Sequence, residues 1–573
     1  MGAYSRLVRL GRQHLPALAA AQACVLAVAA ADLGLLALVK RGVDASLASA
    51  AGAAFVGLLG AAAALAAARE AASYAGTRLA ARVETTFVRE LQNRLHARMH
   101  ALSLDFFARH SPGDLLARLF HDSEAAAHLL TGVTPTGVDA AVRLVALVGY
   151  LWWLHPSLAA LTALAAVPAA VASRLLARHA RRGFRRLNDA TAALYDAAHQ
   201  SLGAAELVQA MASSAEETAR FAARNEEVKA HQRVLHHAAA LSGPVYHGLR
   251  LAGLLAAFAY GARAVAAGEL TMGALAAGLV AAYAVLQALE SAAGVRTSAQ
   301  RGLAAAERVL AVLAEEPTVR APAVGRAPSF ARALRFEGVC FTYPGRATPA
   351  VDDVDLTLRP GEHVAIVGPT GGGKTTLLRL ALRLFDPAAG AITLDGVDLR
   401  ELDLVRLRRL FAVVPQDVAL FDRTLRENIA YGAPGATAAD VEEAARLAGV
   451  DEIADGLPQG LDTPVGARGA ALSGGQRQQV GLARAFVRRA EVLLLDEATA
   501  ALDAVSERRV QDALEKLTRG RAAIVVAHRL SSLLAAQRIL VLAEGRLVEQ
   551  GSHAELSARA GHYRRLLDGQ RIA

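Results

Sequence analysis

The chain has 573 residues, 54% of them hydrophobic, with a mean hydropathy of +0.30 and a formal net charge of +9. That length predicts several domains, and that hydropathy is high for a chain folded wholly in water. Only Cys24 and Cys340 are present, which excludes a disulfide framework and a zinc-finger spacing, while 58 arginines against 4 lysines read as genome composition.

The first apolar run, Leu15–Val39, is interrupted only by Asp32. It is too long for a signal-peptide core and no clear cleavage site follows it. A bilayer core of ~30 Å needs ~20 mostly apolar residues per helix, and the sequence supplies six such stretches. The second is Ala45–Ala68, with no charge. From Leu144 to Ser173 there are 30 uncharged residues, divided by His155-Pro156 into parts of two helices, the first beginning near Pro135. The fifth is about Val245–Ala267, interrupted by Arg250 and Arg263, and the sixth is Leu270–Leu289, closed by Glu290.

Basic residues alternate between the connections. The N-terminal segment holds Arg6, Arg9 and Arg12, residues 69–130 hold eight arginines, and residues 174–243 hold ten Lys plus Arg. The remaining connections hold three, Lys40, Arg41 and Arg263, against that total of twenty-one. This positive-inside pattern puts the N-terminus, both long connections and the C-terminal half in the cytoplasm. It also accounts for much of the basic charge, so no nucleic-acid role is needed. Trp152 and Trp153 fall at the outer end of the third helix, where an interfacial belt belongs. Both long connections keep helical spacing, so the membrane helices are expected to continue far into the cytoplasm. His110-Ser-Pro-Gly-Asp114 breaks the first pair at its tip. Pro317, Pro322 and Pro328 mark a linker over 317–330 between a membrane domain, 1–316, and a soluble domain, 331–573.

In the soluble half, the strand pattern Val364–Val367 runs into Gly368-Pro-Thr-Gly-Gly-Gly373-Lys374-Thr375-Thr376 and then an apolar helix. This is a phosphate-binding loop in its strand–loop–helix context. Glycines let backbone N–H groups wrap phosphates, and the helix N-terminus adds a favourable dipole. Lys374 is expected on the β- and γ-phosphates and the Thr375 hydroxyl on Mg²⁺. A second buried strand, Val492–Leu495, ends in Asp496 and Glu497, suited to holding Mg²⁺ and polarising the attacking water.

Between these motifs stands Leu472-Ser-Gly-Gly-Gln476, and here the sequence resembles the ABC transporter family, over essentially all of 331–573. The resemblance implies further roles. Tyr343 is the aromatic that stacks on adenine. Gly368, Thr370, Gly371, Gly373, Lys374, Thr375 and Thr376 hold nucleotide phosphates. Gln416 is the Q-loop glutamine, catalytic and on the metal with Thr375 and Asp496. Glu497 is the catalytic base, His528 the switch histidine and Asp503 the D-loop aspartate. Gly113–Arg118 and Gly268–Gly273 resemble stretches of six-helix exporter-type half-transporters. In that family the cytoplasmic helical tips dock on the ATPase domains, which implicates Phe106–Phe107 and a region near Glu206–Ala215. Ser473, Gly475 and Gln476 would meet the γ-phosphate of ATP held by another copy, so one chain is half of a homodimer or related heterodimer.

The expected fold is therefore a six-helix membrane domain with long cytoplasmic extensions, plus an α/β ATPase domain. The expected activity is ATP-driven export of an amphiphilic small molecule, lipid or peptide across the cytoplasmic membrane. Import of a siderophore-type substrate on the same fold is the alternative. A soluble ABC ATPase is opposed by the uncharged stretches, and an ATP-gated channel by Glu497. Three departures stand out: Thr463-Pro-Val-Gly-Ala-Arg-Gly469 where exporters carry TEVGERG, Ala500 in place of a D-loop serine, and Gly372 in place of a loop serine. Asp32, Arg250 and Glu290, and the i, i+4 pair Asp139 and Arg143, lie at membrane depth and suit either pairing or cavity lining. His96 and His100 have ligand spacing without supporting donors and read as a solvated face, as do the cluster His231, His236 and His237 and the run Arg406–Arg409.

Overall fold

The computed structural model describes residues 2–47, 53–496, 504–527 and 533–571. The chain divides into two compact units. One comprises Met1–His100 and Pro112–Glu315, the other Ala101–Ser111 and Glu316–Ala573.

Among the described residues the first unit has six long helices: α1 (Leu15–Leu47), α2 (Ala53–Ala101), α3 (Pro112–Leu154), α4 (Pro156–Gly203), α5 (Ser214–Ala266) and α6 (Met272–Ala314). Five are long and apolar enough to cross a membrane, and the apolar part of α4 is described over Pro156–Pro168. At 49 residues, α2 is roughly 70 Å long, more than twice what a bilayer core requires. As the sequence predicts, α3 and α4 meet at a tight turn. His155 is extended, with φ −165°, and Pro156 opens α4, where its missing N–H costs nothing. Small residues let these helices approach closely: Leu36, Leu147 and Leu151 pack with Ala159, Ala281 and Ala282. The loop before α6 explains Gly268–Gly273 locally. Thr271 caps α6 by accepting from the Ala274 N–H, while its hydroxyl and the Gly273 N–H both donate to Asp44 at the end of α1. A Cβ on Gly273 would lie 2.1 Å from the Lys40 carbonyl oxygen, so only glycine fits.

Two π-turns widen α3, at Arg118–Asp122 and Leu129–Val133. Hydroxyls satisfy the carbonyls such turns expose. Ser123 donates to Leu119 and Phe120, and Thr134 donates to Leu129. Between these turns Asp122 takes a two-pronged bond from Arg308 of α6, at 2.7 and 2.6 Å.

The second unit has a six-stranded sheet in the order β10-β9-β3-β8-β7-β6 and a four-stranded antiparallel sheet in the order β2-β1-β4-β5. The strands are β1 (Leu334–Phe341), β2 (Val351–Leu358), β3 (His363–Val367), β4 (Ala389–Leu394), β5 (Val397–Asp398), β6 (Phe411–Val414), β7 (Val492–Asp496), β8 (Ala522–Val526), β9 (Arg538–Ala543) and β10 (Arg546–Gly551). The larger sheet is parallel except for β10 and is covered on both faces, which is why β7 reads as an unbroken apolar run. Val492 and Leu494 join one core with β1, β2 and the helix α7 (Lys374–Ala381), while Leu493 and Leu495 join another with the helices α8 (Ala438–Ala448) and α9 (Gly474–Arg488). The break at the first helical tip folds as a short helix, Leu104–Arg109, within this unit. Phe106 is buried, Thr318 donates to Asp105 at 3.0 Å and the Val319 N–H donates to Ser103 at 3.0 Å. Near the second tip a short helix, Ala205–Ala210, buries none of its residues.

The run Arg406–Arg409 is not simply a solvated face. Arg408 turns inward and donates to the carbonyls of Leu382 and Arg383.

Candidate active site

β3 delivers the chain into the phosphate loop at Gly368, and the loop opens the helix Lys374–Ala381. Gly373 caps that helix with φ +98°, and a Cβ on it would lie 2.3 Å from the Ala350 carbonyl oxygen. Lys374 is buried and its Nζ donates to the carbonyls of Gly368 and Pro369 at 2.8 and 3.0 Å. A cavity of about 790 Å³ lies over the loop. Tyr343, Thr370, Gly371, Gly373, Lys374, Thr375, Thr376, Gln416 and Asp496 all line it, so nine of the expected nucleotide residues converge. Gly368 sits beneath it through the Lys374 bond. Tyr343 stands edge-on to Phe341 and Phe385, and its hydroxyl meets that of Thr376 at 3.2 Å.

Ser473, Gly475 and Gln476 do not line this cavity. Ser473 is the N-cap of α9, where its hydroxyl accepts from the Gln476 N–H and the Gln476 side chain accepts from the Ser473 N–H. Ser473 and Gly474 are exposed. Gln478 on the same helix donates to the Gln416 carbonyl at 2.6 Å, tying the signature helix to the Q-loop. Glu497, Asp503 and His528 lie outside the described residues. Arg346, Thr348, Arg379 and Asp417 also line the cavity and were not anticipated. Arg379 donates to the Tyr343 hydroxyl at 3.1 Å, and its position four residues after Thr375 on the same helix was a usable signal. The departing loop Thr463–Gly469 is pinned to the chain before Leu425, with Leu425 N–H to the Thr463 carbonyl and Val465 N–H to the Arg423 carbonyl.

The membrane unit holds a second cavity, of about 450 Å³, lined by α1, α3 and α6 and by Arg69 of α2. Its walls are mostly Ala, Leu and Val, with four charged side chains in one chain of contacts. Arg69 donates to one Asp32 oxygen at 2.6 Å and Arg143 to the other at 2.8 Å, while Arg143 also reaches Asp139 at 2.7 Å. The predicted Asp139–Arg143 pair is therefore real, and it lines a cavity as well. Arg250 instead lies over the Tyr283 ring at 4.8 Å. The side chain of Glu290 is outside the described residues. His96 and His100 approach at 3.2 Å, but no group of three or more metal-ligand side chains exists among the described residues.

Residues 18–289 match the model for the ABC transporter transmembrane region, and residues 351–500 match that for the ABC transporter. A protein named ATP-dependent lipid A-core flippase from Syntrophus aciditrophicus is 33% identical over 572 residues, covering 99% of this chain and 94% of the relative. Another of that name from Chromobacterium violaceum is 38% identical, covering 84% of this chain and 82% of the relative. A bacterial Atm1-family ABC exporter solved with ATP bound superposes with a TM-score of 0.85 at 28% identity, covering 97% of this chain and 98% of its own. The importer alternative is not favoured by these likenesses. The chain belongs to the ABC transporter family: it is a multi-pass membrane protein of the exporter type whose ATPase domain binds ATP and couples its hydrolysis to transport.

Proposed function

We propose that two copies of this chain, or this chain and a close relative, form a pump that moves a lipid-like amphiphile outward across the cytoplasmic membrane. The observation that carries the dimer is the separation within one chain. Nine nucleotide residues share a cavity, and the exposed Ser473 lies outside it, available to a second copy's γ-phosphate. The N-terminus and the ATPase domain lie in the cytoplasm, on the side favoured by twenty-one basic residues against three. The substrate class rests on the membrane cavity, whose apolar walls suit acyl chains and whose paired charges, Arg69 and Arg143 with Asp32 and Asp139, suit a polar headgroup. The flippase relatives, named for a lipid, agree with that reading.

Phosphoryl transfer needs positioning and charge stabilisation. Lys374 places its ammonium at the loop, where the β- and γ-phosphates would lie. Tyr343 supplies a ring face for adenine. Thr375, Gln416 and Asp496 contribute a hydroxyl, an amide oxygen and a carboxylate to one cavity, a hard-oxygen set that fits Mg²⁺. When bound, that ion would neutralise phosphate charge. Glu497 orients the attacking water, His528 and the partner's signature motif contact the γ-phosphate, and Asp503 bridges the two copies. Loss of the γ-phosphate then releases the closed interface.

Glu497→Gln should lower ATP turnover by at least 100-fold and trap a closed ATP-bound dimer, visible by size-exclusion chromatography of the detergent-extracted protein. Full turnover in that variant would remove Glu497 as the base. Direction is read in inverted vesicles: export requires ATP-dependent accumulation of a fluorescent lipid probe on the lumenal side.

A further inference from the structure

The ATPase unit carries a third cavity that shares no lining residue with the nucleotide cavity. Its volume is about 310 Å³, and Arg409, Arg488, Arg489, Asp440 and the turn Gly432–Ala436 line it. Arg489 is compensated, because Asp440 accepts from it at 2.7 Å and Glu443 lies at 3.8 Å. Arg488 is fixed but not compensated by charge. Its two terminal nitrogens donate to the carbonyls of Gly432 and Arg408, and its Nε is buried with no hydrogen-bond partner. The Arg409 side chain is exposed and makes no hydrogen bond or ion pair among the described residues. Burial, and after it the charge of Arg409, lowers the basicity of Arg488; burial and then Arg489 do the same to neighbouring Arg521. These are signs of positive potential that the protein itself leaves unbalanced.

We infer that this cavity binds a small phosphate-bearing anion between Arg409 and Arg488. Two guanidinium groups at one cavity offer donors that phosphate oxygens accept: Arg409 has its whole fork, and each terminal nitrogen of Arg488 keeps a second N–H beyond its carbonyl bond. The volume sits at the small end of ligand pockets, roughly 300–1,000 Å³. That favours a mono- or diphosphate ester over an extended acidic polypeptide. Nothing in the phosphate-loop chemistry uses these residues. Yet the elements they join lead to it, since α9 runs from its N-cap Ser473 to Arg488, and β6 follows Arg409 and ends two residues before Gln416.

The test uses the full chain in lipid nanodiscs, with Lys374→Ala to remove the phosphate loop as a competing site, and inorganic pyrophosphate as the calorimetric probe. Saturable binding is expected, weakened at least tenfold by Arg409→Gln and again by raising salt. Because Arg409 is exposed and makes no bond, its loss leaves the fold intact. Ala436→Glu is a second variant, placing a carboxylate in the cavity with the same expected loss. No binding to the Lys374→Ala protein, or affinity in both cavity variants equal to that of the Lys374→Ala parent, would overturn the proposal. Competition by glycerol 3-phosphate identifies a soluble ester. Loss of pyrophosphate binding only in phosphatidate-containing discs identifies a lipid headgroup. Displacement by polyglutamate but by neither phosphate compound would refute the phosphate assignment.

Discussion

Gly373 and Asp395 show how differently two single residues are written into the chain. At Gly373 the positive φ and the nearby Ala350 carbonyl leave no room for a side chain. Gly373→Ala should therefore reduce ATP binding at least tenfold, measured by fluorescent-nucleotide titration. Unchanged affinity would mean that the loop tolerates a different path. The glycine is legible because it belongs to a motif with a mechanism. Asp395 belongs to none. It sits in the turn after β4, with φ +53°, and accepts from the Ser329 hydroxyl and the N–H groups of Ala331, Arg332 and Ala333. The prolines of 317–330 announce a linker, but nothing beside Asp395 announces that it anchors the linker's end. Burial raises its pKa, and the bonds from Ala331, Arg332, Ala333 and Ser329 together outweigh burial and set it below the ordinary value. A depressed folded value means the stabilisation is complete above the unfolded pKa, near ~3.9, and fades as pH falls through the folded one. Asp395→Asn should cost about 1–3 kcal/mol at neutral pH, seen as a lower thermal midpoint. The gap from wild type should narrow below pH ~4; a gap that stays constant there would show that the bonds need no charge.

At the scale of elements, the membrane helices were legible because uncharged runs of bilayer length have few other uses. Their partners were not. Asp139 and Arg143 are four apart on one helix and so visible in the sequence, whereas Asp32 finds Arg69 and Arg143 at 37 and 111 positions away, on helices whose rotation an Ala-rich pattern does not fix. The π-turns of α3 were equally hidden. They add a residue to a turn without changing composition, and they aim Asp122 at α6. The Asp122 side chain is 7% exposed and that of Arg308 50%. Asp122→Asn should cost about 2 kcal/mol, less than the ~3–5 of a fully buried pair because Arg308 is half in water. Thermal scanning in detergent would measure it, and no change in midpoint would show the pair to be dispensable.

Across the whole molecule, charge placement and exposed apolar surface carry the architecture. None of the apolar window of α2 is buried within the chain, so lipid or a second copy must cover it. With Cys24 and Cys340 replaced by alanine, a cysteine at Glu269 should react with a membrane-impermeant maleimide on intact cells. A cysteine at Ala204 should react only in inverted vesicles. The opposite pattern would reverse the assigned orientation. The clamp of Thr271 and Gly273 onto Asp44 bears on how this end of the bundle opens. It staples the rim of α1 to the start of α6, so these two rods cannot splay apart there without losing both bonds. A gate at this end would swing them as one blade, with its pivot deeper in the bundle.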